Sequence, residues 1–163
     1  MIVPIPVPHQ TTFETSMTAN RTQQPSFKSL ERSPKGFQMN LSDTLAAIPW
    51  NTDGLIPVIA QDNTTQQVLM LAWANHEALL LSIQTQKAHY WSRSRSALWC
   101  KGESSGHHQA IIKIRLDCDG DALLYMVNQT GAACHTNRDH CFYWSLDSKG
   151  AQVMSNFKPK ESP

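Results

Sequence analysis

The chain has 163 residues and a mass of 18.3 kDa, 40% of its residues are hydrophobic, and 14 Lys and Arg against 13 Asp and Glu give a net charge of +1. This length predicts a single domain, and the balanced charge argues against a dedicated nucleic-acid-binding protein, which usually has a strong basic excess. No run approaches the ~18 apolar residues of a membrane span, so integration into a membrane is excluded.

The first forty residues differ from the rest in composition, with nine Ser and Thr, six Asn and Gln and five of the nine prolines. Such a segment cannot bury enough apolar surface to offset its ordering entropy, so residues 1–40 are predicted to be a disordered N-terminal tail. A transit peptide is an alternative that the presence of only two arginines weakens, and Met39 is a second candidate start of translation. The early prolines do not fit a secretory signal, so we expect a reducing, cytoplasmic location.

The globular domain is predicted over residues 41–144, followed by a polar C-terminal tail over residues 145–163. Within the domain, two apolar runs at residues 56–60 and 67–73 predict buried strands, because turn residues separate them.

A helix is predicted next, over residues 76–86, because Asn75 can cap its first turn. Its helical spacing places three apolar residues on the buried face, Leu79, Leu80 and Ile83. An aromatic strand follows at residues 87–92. Residues 93–109 have no clean periodicity and predict a long functional loop.

A hairpin is predicted after this loop, with strands over residues 110–118 and 122–129 around the turn signal Asp119-Gly120. Alternation along the first strand places four residues on one face, Ile112, Ile114, Leu116 and Cys118. A loop over residues 130–140 and a short strand over residues 142–144 complete the domain. Strands dominate, so the sequence predicts a β-rich α+β fold with one or two helices.

Four cysteines, Cys100, Cys118, Cys134 and Cys141, lie within 42 residues, and the last three have the spacing C-x15-C-x6-C. In a reducing compartment such clustering favours metal binding or catalysis over disulfides. Three thiolates from different segments are typical of a catalytic zinc site, whose fourth position holds a water molecule with a pKa near 7. A closed site of all four thiolates and buried thiols without metal are the alternatives.

Three aspartates alternate along the predicted turn, Asp117, Asp119 and Asp121. In an extended segment they share one face and repel one another unless a hard cation such as Mg²⁺ neutralises them. A solvated acidic turn without metal is the alternative. An EF-hand is excluded, because Ala122 and Asn128 stand where that motif requires Gly and Glu.

The loop between residues 92 and 106 combines two arginines, a lysine, several hydroxyls and two glycines. These groups suit phosphate oxygens, although the loop lacks the Walker pattern. An exposed basic loop without a ligand is the alternative.

Several motifs, taken in order, resemble those of the phosphoribosyl-AMP cyclohydrolase family, enzymes of histidine biosynthesis. The resemblance extends over residues 55–143. It rests on Leu69-Met-Leu-Ala-Trp73, Asn75, Glu77-Ala78, Ser92-Arg-Ser-Arg95, Leu98-Trp99, Lys101-Gly-Glu-Ser-Ser-Gly106, Gln109, Asp117-Cys-Asp-Gly-Asp121, Gln129-Thr-Gly131, Cys134-His-Thr136 and Cys141-Phe142.

The resemblance implies an intertwined homodimer whose β-rich pseudo-barrel has mostly antiparallel strands and whose metal ligands are shared between subunits. It implies that Cys118, Cys134 and Cys141 hold one catalytic zinc ion per subunit, and that Asp117, Asp119 and Asp121 hold Mg²⁺. The implied substrate is N1-(5-phosphoribosyl)-AMP, whose N1–C6 bond opens when zinc-bound hydroxide attacks C6 of the adenine ring.

His135, beside the ligand Cys134, is the candidate general base or acid, because histidine titrates near neutral pH. A role in supporting the loop alone is the alternative. The substrate carries two phosphates, for which Arg93, Arg95 and Lys101 are the candidate partners. Further candidate contacts are hydrogen bonds from Ser94 and Ser105, and stacking or packing by Trp99.

Residues 137–140 depart from the family pattern, which has Gly and basic residues there. A zinc deaminase is a competing hypothesis, but its H-x-E and P-C-x-x-C motifs are absent from the sequence. A zinc-stabilised module that binds nucleotides or RNA without turnover is the remaining alternative, with Tyr90, Trp91 and Trp99 as stacking surfaces.

Overall fold

The computed structural model describes residues 25–157. That part of the chain forms two α-helices, α1 (Leu41–Ala47) and α2 (His76–Thr85), and a 3-10 helix at Phe27–Leu30. It also forms eight strands, β1 (Ile56–Asp62), β2 (Val68–Ala74), β3 (His89–Ser92), β4 (Ala97–Cys100), β5 (Gln109–Leu116), β6 (Leu123–Gln129), β7 (Trp144–Asp147) and β8 (Gly150–Val153).

Six strands form one sheet in the order β4-β3-β2-β1-β6-β5, and β7 and β8 form a separate hairpin. Neighbouring strands are antiparallel except β1 and β6, which run parallel with Ile59 opposite Leu124. The sheet curls into a half-barrel, as the right-handed twist of strands favours. The predicted β-rich α+β fold with mostly antiparallel strands and one or two helices is confirmed, and the described residues form two α-helices.

Helix α2 begins where its N-cap signal predicts, and its C-cap is Gln86, the last residue of the predicted helix. The side chain of Asn75 accepts a hydrogen bond of 2.8 Å from the N–H of Ala78, which satisfies one of the free donors of the first turn. The helix ends at Gln86, whose φ of 55° is left-handed and whose N–H donates to the carbonyl of Ser82. Its buried face consists of Ala78, Leu79 and Ser82.

A buried polar network ties the helix and three strands together. The hydroxyl of Tyr90 donates 2.6 Å to Oε1 of Gln109, whose amide donates 2.9 Å to Oε1 of Gln129. The hydroxyl of Tyr125 donates 3.3 Å to Oγ of Ser82. Leaving one such buried group without its partner costs about 1–3 kcal/mol, so the network holds β3, β5 and β6 in register.

Two apolar residues of the predicted faces are exposed, Ile83 of the predicted buried helix face and Ile112 of the predicted strand face. Ile83 is 38% exposed, because the smaller Ala78 and Ser82 face the sheet instead. Ile112 is 51% exposed, because the pairing of β5 with β6 shifts between Ile111 and Lys113. This bulge moves Ile111 onto the buried face that Ile112 would otherwise occupy.

The sequence interpretation missed four elements, the 3-10 helix, α1, β4 and β8. Helix α1 has only seven residues, and β4 lies in the segment predicted as a loop. All four residues of β4 are half-buried, and its sequence Ala-Leu-Trp-Cys does not alternate between apolar and polar residues. The strand therefore lacks the two-residue period that predicts a β-strand. Strand β8 pairs with β7, which begins at Trp144, the last residue of the short strand predicted there.

The two predicted tails lie partly outside the described residues. Residues 1–24 and 158–163 are not described, whereas residues 25–40 include the 3-10 helix and residues 145–157 include the β7–β8 hairpin. Phe27 of the 3-10 helix packs against the core. The domain division at residues 40 and 144 stays a prediction. Within residues 25–157, neither helix is long and apolar enough to span a bilayer.

Candidate active site

The loop that follows β6 brings two of the predicted zinc ligands together. The N–H of Cys134 donates 3.1 Å to the carbonyl of Arg138, and the N–H of Asn137 donates 3.0 Å to the carbonyl of Cys134. This turn places Asn137 at a left-handed φ of 61°, which Asn tolerates better than most residues. The N–H of Cys141 donates 2.7 Å to the carbonyl of Leu69 in β2, so the loop is anchored at both ends.

The two thiols differ in acidity because they interact with each other. Burial raises the pKa of Cys134, but hydrogen bonds from Thr136 and Cys141 and the charge of Arg138 lower it overall. The hydroxyl of Thr136 lies 3.0 Å from the sulfur. Burial and the negative charge of Cys134 raise the pKa of Cys141 to about 11. Cys134 is therefore the more acidic thiol of the pair, and Cys141 keeps its proton to higher pH.

A cavity of about 400 Å³ lies beside the thiol pair. It collects most of the residues that the sequence assigned to catalysis and substrate binding. Its lining consists of Met70, Arg95, Trp99, Lys101, Ser104, Ser105, His107, Ala133, Cys134, His135, Asn137 and Cys141. The side chain of His135 is exposed, whereas Trp99 packs on Tyr90 with ring centroids 5.0 Å apart.

Lys101 is a basic residue of the cavity wall that interacts electrostatically with both thiols. Its side chain is only 9% exposed, and its Nζ donates 3.3 Å to the carbonyl of His107. Burial lowers the pKa of Lys101, although the charges of Cys141 and Cys134 oppose this effect. The lysine thus contributes a positive charge to the cavity wall close to the sulfur atoms.

Arg93 and Ser94 line a neighbouring cleft of about 460 Å³ rather than the cavity. The guanidinium of Arg93 lies 4.9 Å from the ring centroid of Trp73, a cation–π contact. Arg95 and Trp99 line both hollows. The predicted phosphate-binding residues therefore divide between two adjoining hollows that share one wall.

His107 lines the cavity, although the sequence interpretation gave it no role. Its ring lies against Gly131, where a Cβ atom would be 2.9 Å from Cγ of the imidazole. Gly131 also has a φ of +68°, so two constraints favour glycine there. The only signal in the sequence was the presence of Gly131 among the family motifs.

The three aspartates come together in the turn between β5 and β6. The N–H of Asp117 donates 3.1 Å to the carbonyl of Ala122, and the N–H of Ala122 donates 3.1 Å to Oδ1 of Asp117. One carboxylate oxygen from each aspartate lies within 4.8 Å of the others. A hydrogen bond with Asp117 and the charges of Asp119 and Asp117 raise the pKa of Asp121. Crowded hard oxygen donors of this kind fit a divalent cation such as Mg²⁺.

Cys118 lies on this acidic turn, apart from the other two cysteines. It is exposed, and its sulfur is 3.9 Å from Oδ1 of Asp119. The turn precedes β6 and the cysteine loop follows it, and a seven-residue strand is roughly 20 Å long. Within residues 25–157, the three aspartates form the only group of three potential metal ligands. One chain therefore pairs Cys134 with Cys141 and leaves Cys118 elsewhere.

Arg138 connects the cysteine loop to the C-terminal segment. Its guanidinium lies 4.1 Å from the ring centroid of Tyr143 and 5.9 Å from that of Phe157. Its Nε donates 3.2 Å to the carbonyl of Ser155. Within the described part of the chain, Nδ1 of His140 and Oγ of Ser155 are buried without a hydrogen-bond partner. Residues after β8 thus pack on the loop that positions the thiols.

A family model described as phosphoribosyl-AMP cyclohydrolase matches residues 70–143. A protein of that name from Alkalilimnicola ehrlichii is 52% identical over 129 residues, covering 79% of this chain and 91% of the relative. Phosphoribosyl-AMP cyclohydrolase 2 from Pseudomonas fluorescens is 52% identical over 127 residues, covering 78% and 86%. A phosphoribosyl-AMP cyclohydrolase from Nitrosospira multiformis is 57% identical over 109 residues, covering 66% and 84%.

This chain belongs to the phosphoribosyl-AMP cyclohydrolase family. The predicted resemblance is confirmed, and the chain is an enzyme of a family of hydrolases that act on a cyclic amidine. The matched residues include the thiol pair, the acidic turn and the whole lining of the cavity beside the thiols.

Proposed function

We propose that the protein hydrolyses N1-(5-phosphoribosyl)-AMP at C6 of its adenine ring, as a step of histidine biosynthesis in the cytoplasm. The observation that carries the proposal is the cavity that Cys134 and Cys141 share with His135 and a basic wall. Family membership supports the same reaction, because relatives with about half of their aligned residues identical are named for it.

The donor set of the thiol pair fits zinc, because thiolates bind this borderline-soft ion well. Binding would release the proton that Cys141 holds. We assign Cys134 and Cys141 as two ligands and Cys118 of a second copy of the chain as the third. The active form is then a homodimer with one zinc ion per subunit. When bound, zinc acidifies a water molecule enough for it to act as a nucleophile at neutral pH.

His135 is our candidate for the proton transfers. The oxygen of water bonds to C6, and the N1–C6 bond breaks with its electron pair on N1, which leaves an imidazole carboxamide. From the neutral 6-imino form of the substrate, the water loses two protons as it becomes the amide oxygen. One proton ends on N1 and the other on the exocyclic nitrogen of C6, which becomes the amide nitrogen. His135 follows Cys134 directly and lines the cavity with an exposed ring, so it can accept a proton from the water and deliver it to N1.

The two hollows suit the two phosphates of the substrate. Arg95, Lys101 and Ser105 line the cavity, and Arg93 and Ser94 line the adjoining cleft. We assign one phosphate to each hollow, because guanidinium groups and hydroxyls are strong donors to phosphate oxygens. Trp99 lies on the shared wall, where it packs on Tyr90, and we assign it to contact the adenine ring.

Asp117, Asp119 and Asp121 would hold Mg²⁺ on the turn that also carries Cys118. If Cys118 reaches the cavity of a second copy, the three carboxylates come with it. The cation would then offset part of the negative charge of the substrate phosphates. This arrangement would explain why the three aspartates lie at one end of β6 and the cavity of the same chain lies at the other end.

The test is to mix the purified protein with N1-(5-phosphoribosyl)-AMP and Mg²⁺ and to follow the near-ultraviolet spectrum with and without a zinc chelator. We expect conversion to the imidazole chromophore that stops when the chelator is added. An unchanged spectrum from folded protein with bound zinc would overturn the proposal and favour a zinc-stabilised binding module. Conversion that continues in metal-free protein would overturn the role of zinc.

A further inference from the structure

The 3-10 helix at Phe27–Leu30 packs on the acidic turn between β5 and β6. Gly120, at the centre of the turn, is buried although Asp117 and Cys118 are exposed. A Cβ atom on Gly120 would lie 2.6 Å from Cγ and 2.9 Å from Cβ of Phe27. The aromatic ring therefore rests directly on the glycine backbone between two of the three carboxylates.

Local hydrogen bonds hold the ring in place. The N–H of Ser29 donates 2.9 Å to the carbonyl of Ser26 and the hydroxyl of Ser29 donates 2.7 Å to the same atom. The side chain of Ser26 caps the helix by accepting from the N–H of Ser29. Phe27 also packs against the hydrophobic core, so the helix is joined to the sheet and to the turn together.

The turn needs such support because the negative charges of its carboxylates destabilise the arrangement that brings them together. Three carboxylates whose oxygens lie within 4.8 Å repel one another whenever no cation is bound. Gly120 has a φ of +79° and no side chain, so its backbone can relax easily. A ring pressed on that backbone limits the relaxation and keeps the carboxylates converging.

We infer that Phe27 is a positioning residue for the acidic turn, which holds Asp117, Asp119 and Asp121 in the arrangement that binds a divalent cation. The inference rests on the proposed role of these aspartates as the Mg²⁺ site. Phe27 lies outside the residues 70–143 that the family model matches, so the residue that supports the acidic turn comes from the N-terminal segment of this chain. Groups that orient metal ligands typically contribute 10–100-fold to metal affinity.

The experiment compares the full-length, zinc-loaded protein with Phe27→Ala, Phe27→Leu and the control Phe37→Ala. Phe37 is an aromatic residue of the same segment that is 51% exposed. Mn²⁺ serves as the probe, titrated by calorimetry without substrate, and Asp119→Asn identifies the signal of the acidic turn. We expect roughly tenfold weaker Mn²⁺ binding in Phe27→Ala and near wild-type binding in Phe27→Leu and Phe37→Ala.

Hydrogen exchange of the Asp117 and Ala122 amides, which close the turn, gives a readout independent of metal. We expect faster exchange in Phe27→Ala alone. If that variant does not fold, Phe27→Val replaces it, with an intermediate loss of Mn²⁺ affinity. Wild-type Mn²⁺ affinity in folded Phe27→Ala, or in Phe27→Val where it takes that variant's place, would overturn the inference, as would the lack of an Asp119-dependent site in the wild type. Phe27-dependent Mn²⁺ binding without turnover of N1-(5-phosphoribosyl)-AMP would contradict the proposed function alone.

Discussion

The backbone N–H of Cys141 donates a hydrogen bond of 2.7 Å to the carbonyl oxygen of Leu69. This contact fastens one end of the cysteine loop to β2, while Cys134 at the other end follows β6. The loop that carries both thiols is therefore attached to the central sheet on either side. A site supported by such rigid elements can keep the ligand geometry that a metal centre requires.

The zinc assignment predicts a sharp difference among the cysteines. Cys134→Ser and Cys141→Ser should each lose bound zinc and at least about a hundredfold in turnover, because even groups behind the ligands contribute that much. Cys100→Ser is the matched control, since its half-buried thiol does not line the cavity. Zinc content and turnover are measured on the same samples. Retained zinc with near-normal turnover in either ligand variant would refute its assignment.

His135→Asn should separate catalysis from metal binding. Loss of a general acid and base lowers kcat by about 10²–10⁴-fold, whereas the zinc content should stay at the wild-type level. His76→Asn is the control, because His76 is an exposed histidine outside the cavity. If His135 only supports the loop, zinc and turnover will instead fall together, or neither will change.

The assignment of one phosphate to each hollow predicts that an arginine variant weakens binding only of substrates that carry the phosphate it contacts. Arg93→Ala should raise KM for the full substrate by about tenfold to a hundredfold, the value of a charge-assisted hydrogen bond. It should have no effect on an analogue that lacks the phosphate held in the adjoining cleft. KM values for the substrate and both monophosphate analogues test this. Equal losses on all three would show that Arg93 acts through its packing on Trp73.

The raised pKa of Tyr125 predicts that the free energy of unfolding decreases at high pH. Burial raises the pKa of Tyr125 to about 12, although the hydrogen bond with Ser82 opposes the shift. The folded state thus binds this proton more tightly than the unfolded state, so the stabilisation is complete below pH 10 and is lost as pH rises through about 12. Urea unfolding at pH 9 and 11 should show a smaller loss in Tyr125→Phe than in the wild type. An equal loss in both would contradict the prediction.

Local signals account for the parts of the fold that were predicted correctly. Asn75 caps α2, and the Asp119-Gly120 pair marks the turn between β5 and β6, because each depends on residues close in sequence. The bulge at Ile112 depends on pairing with β6, which alternation along one strand does not reveal.

The sequence predicted which residue types form the site, but it did not predict that Cys118 lies apart from Cys134 and Cys141 within one chain. Motifs named Cys134, His135, Arg95 and Lys101, and the cavity contains all four. Spacing alone left open whether Cys118 joins them, since that depends on which end of β6 each segment occupies. The contact of Phe27 with Gly120 joins segments ninety residues apart and leaves no local pattern.

We propose that the active site is completed between two copies of the chain, and mixing two inactive variants tests this shared site most directly. Cys118→Ser retains an intact thiol pair, and Cys134→Ser retains Cys118. Unfolded, mixed and refolded together with zinc, they should recover about a quarter of wild-type turnover, because half of the random dimers carry one complete site. Recovery to that level is the predicted result. No recovery, from a mixture shown to contain heterodimers, would contradict the shared site.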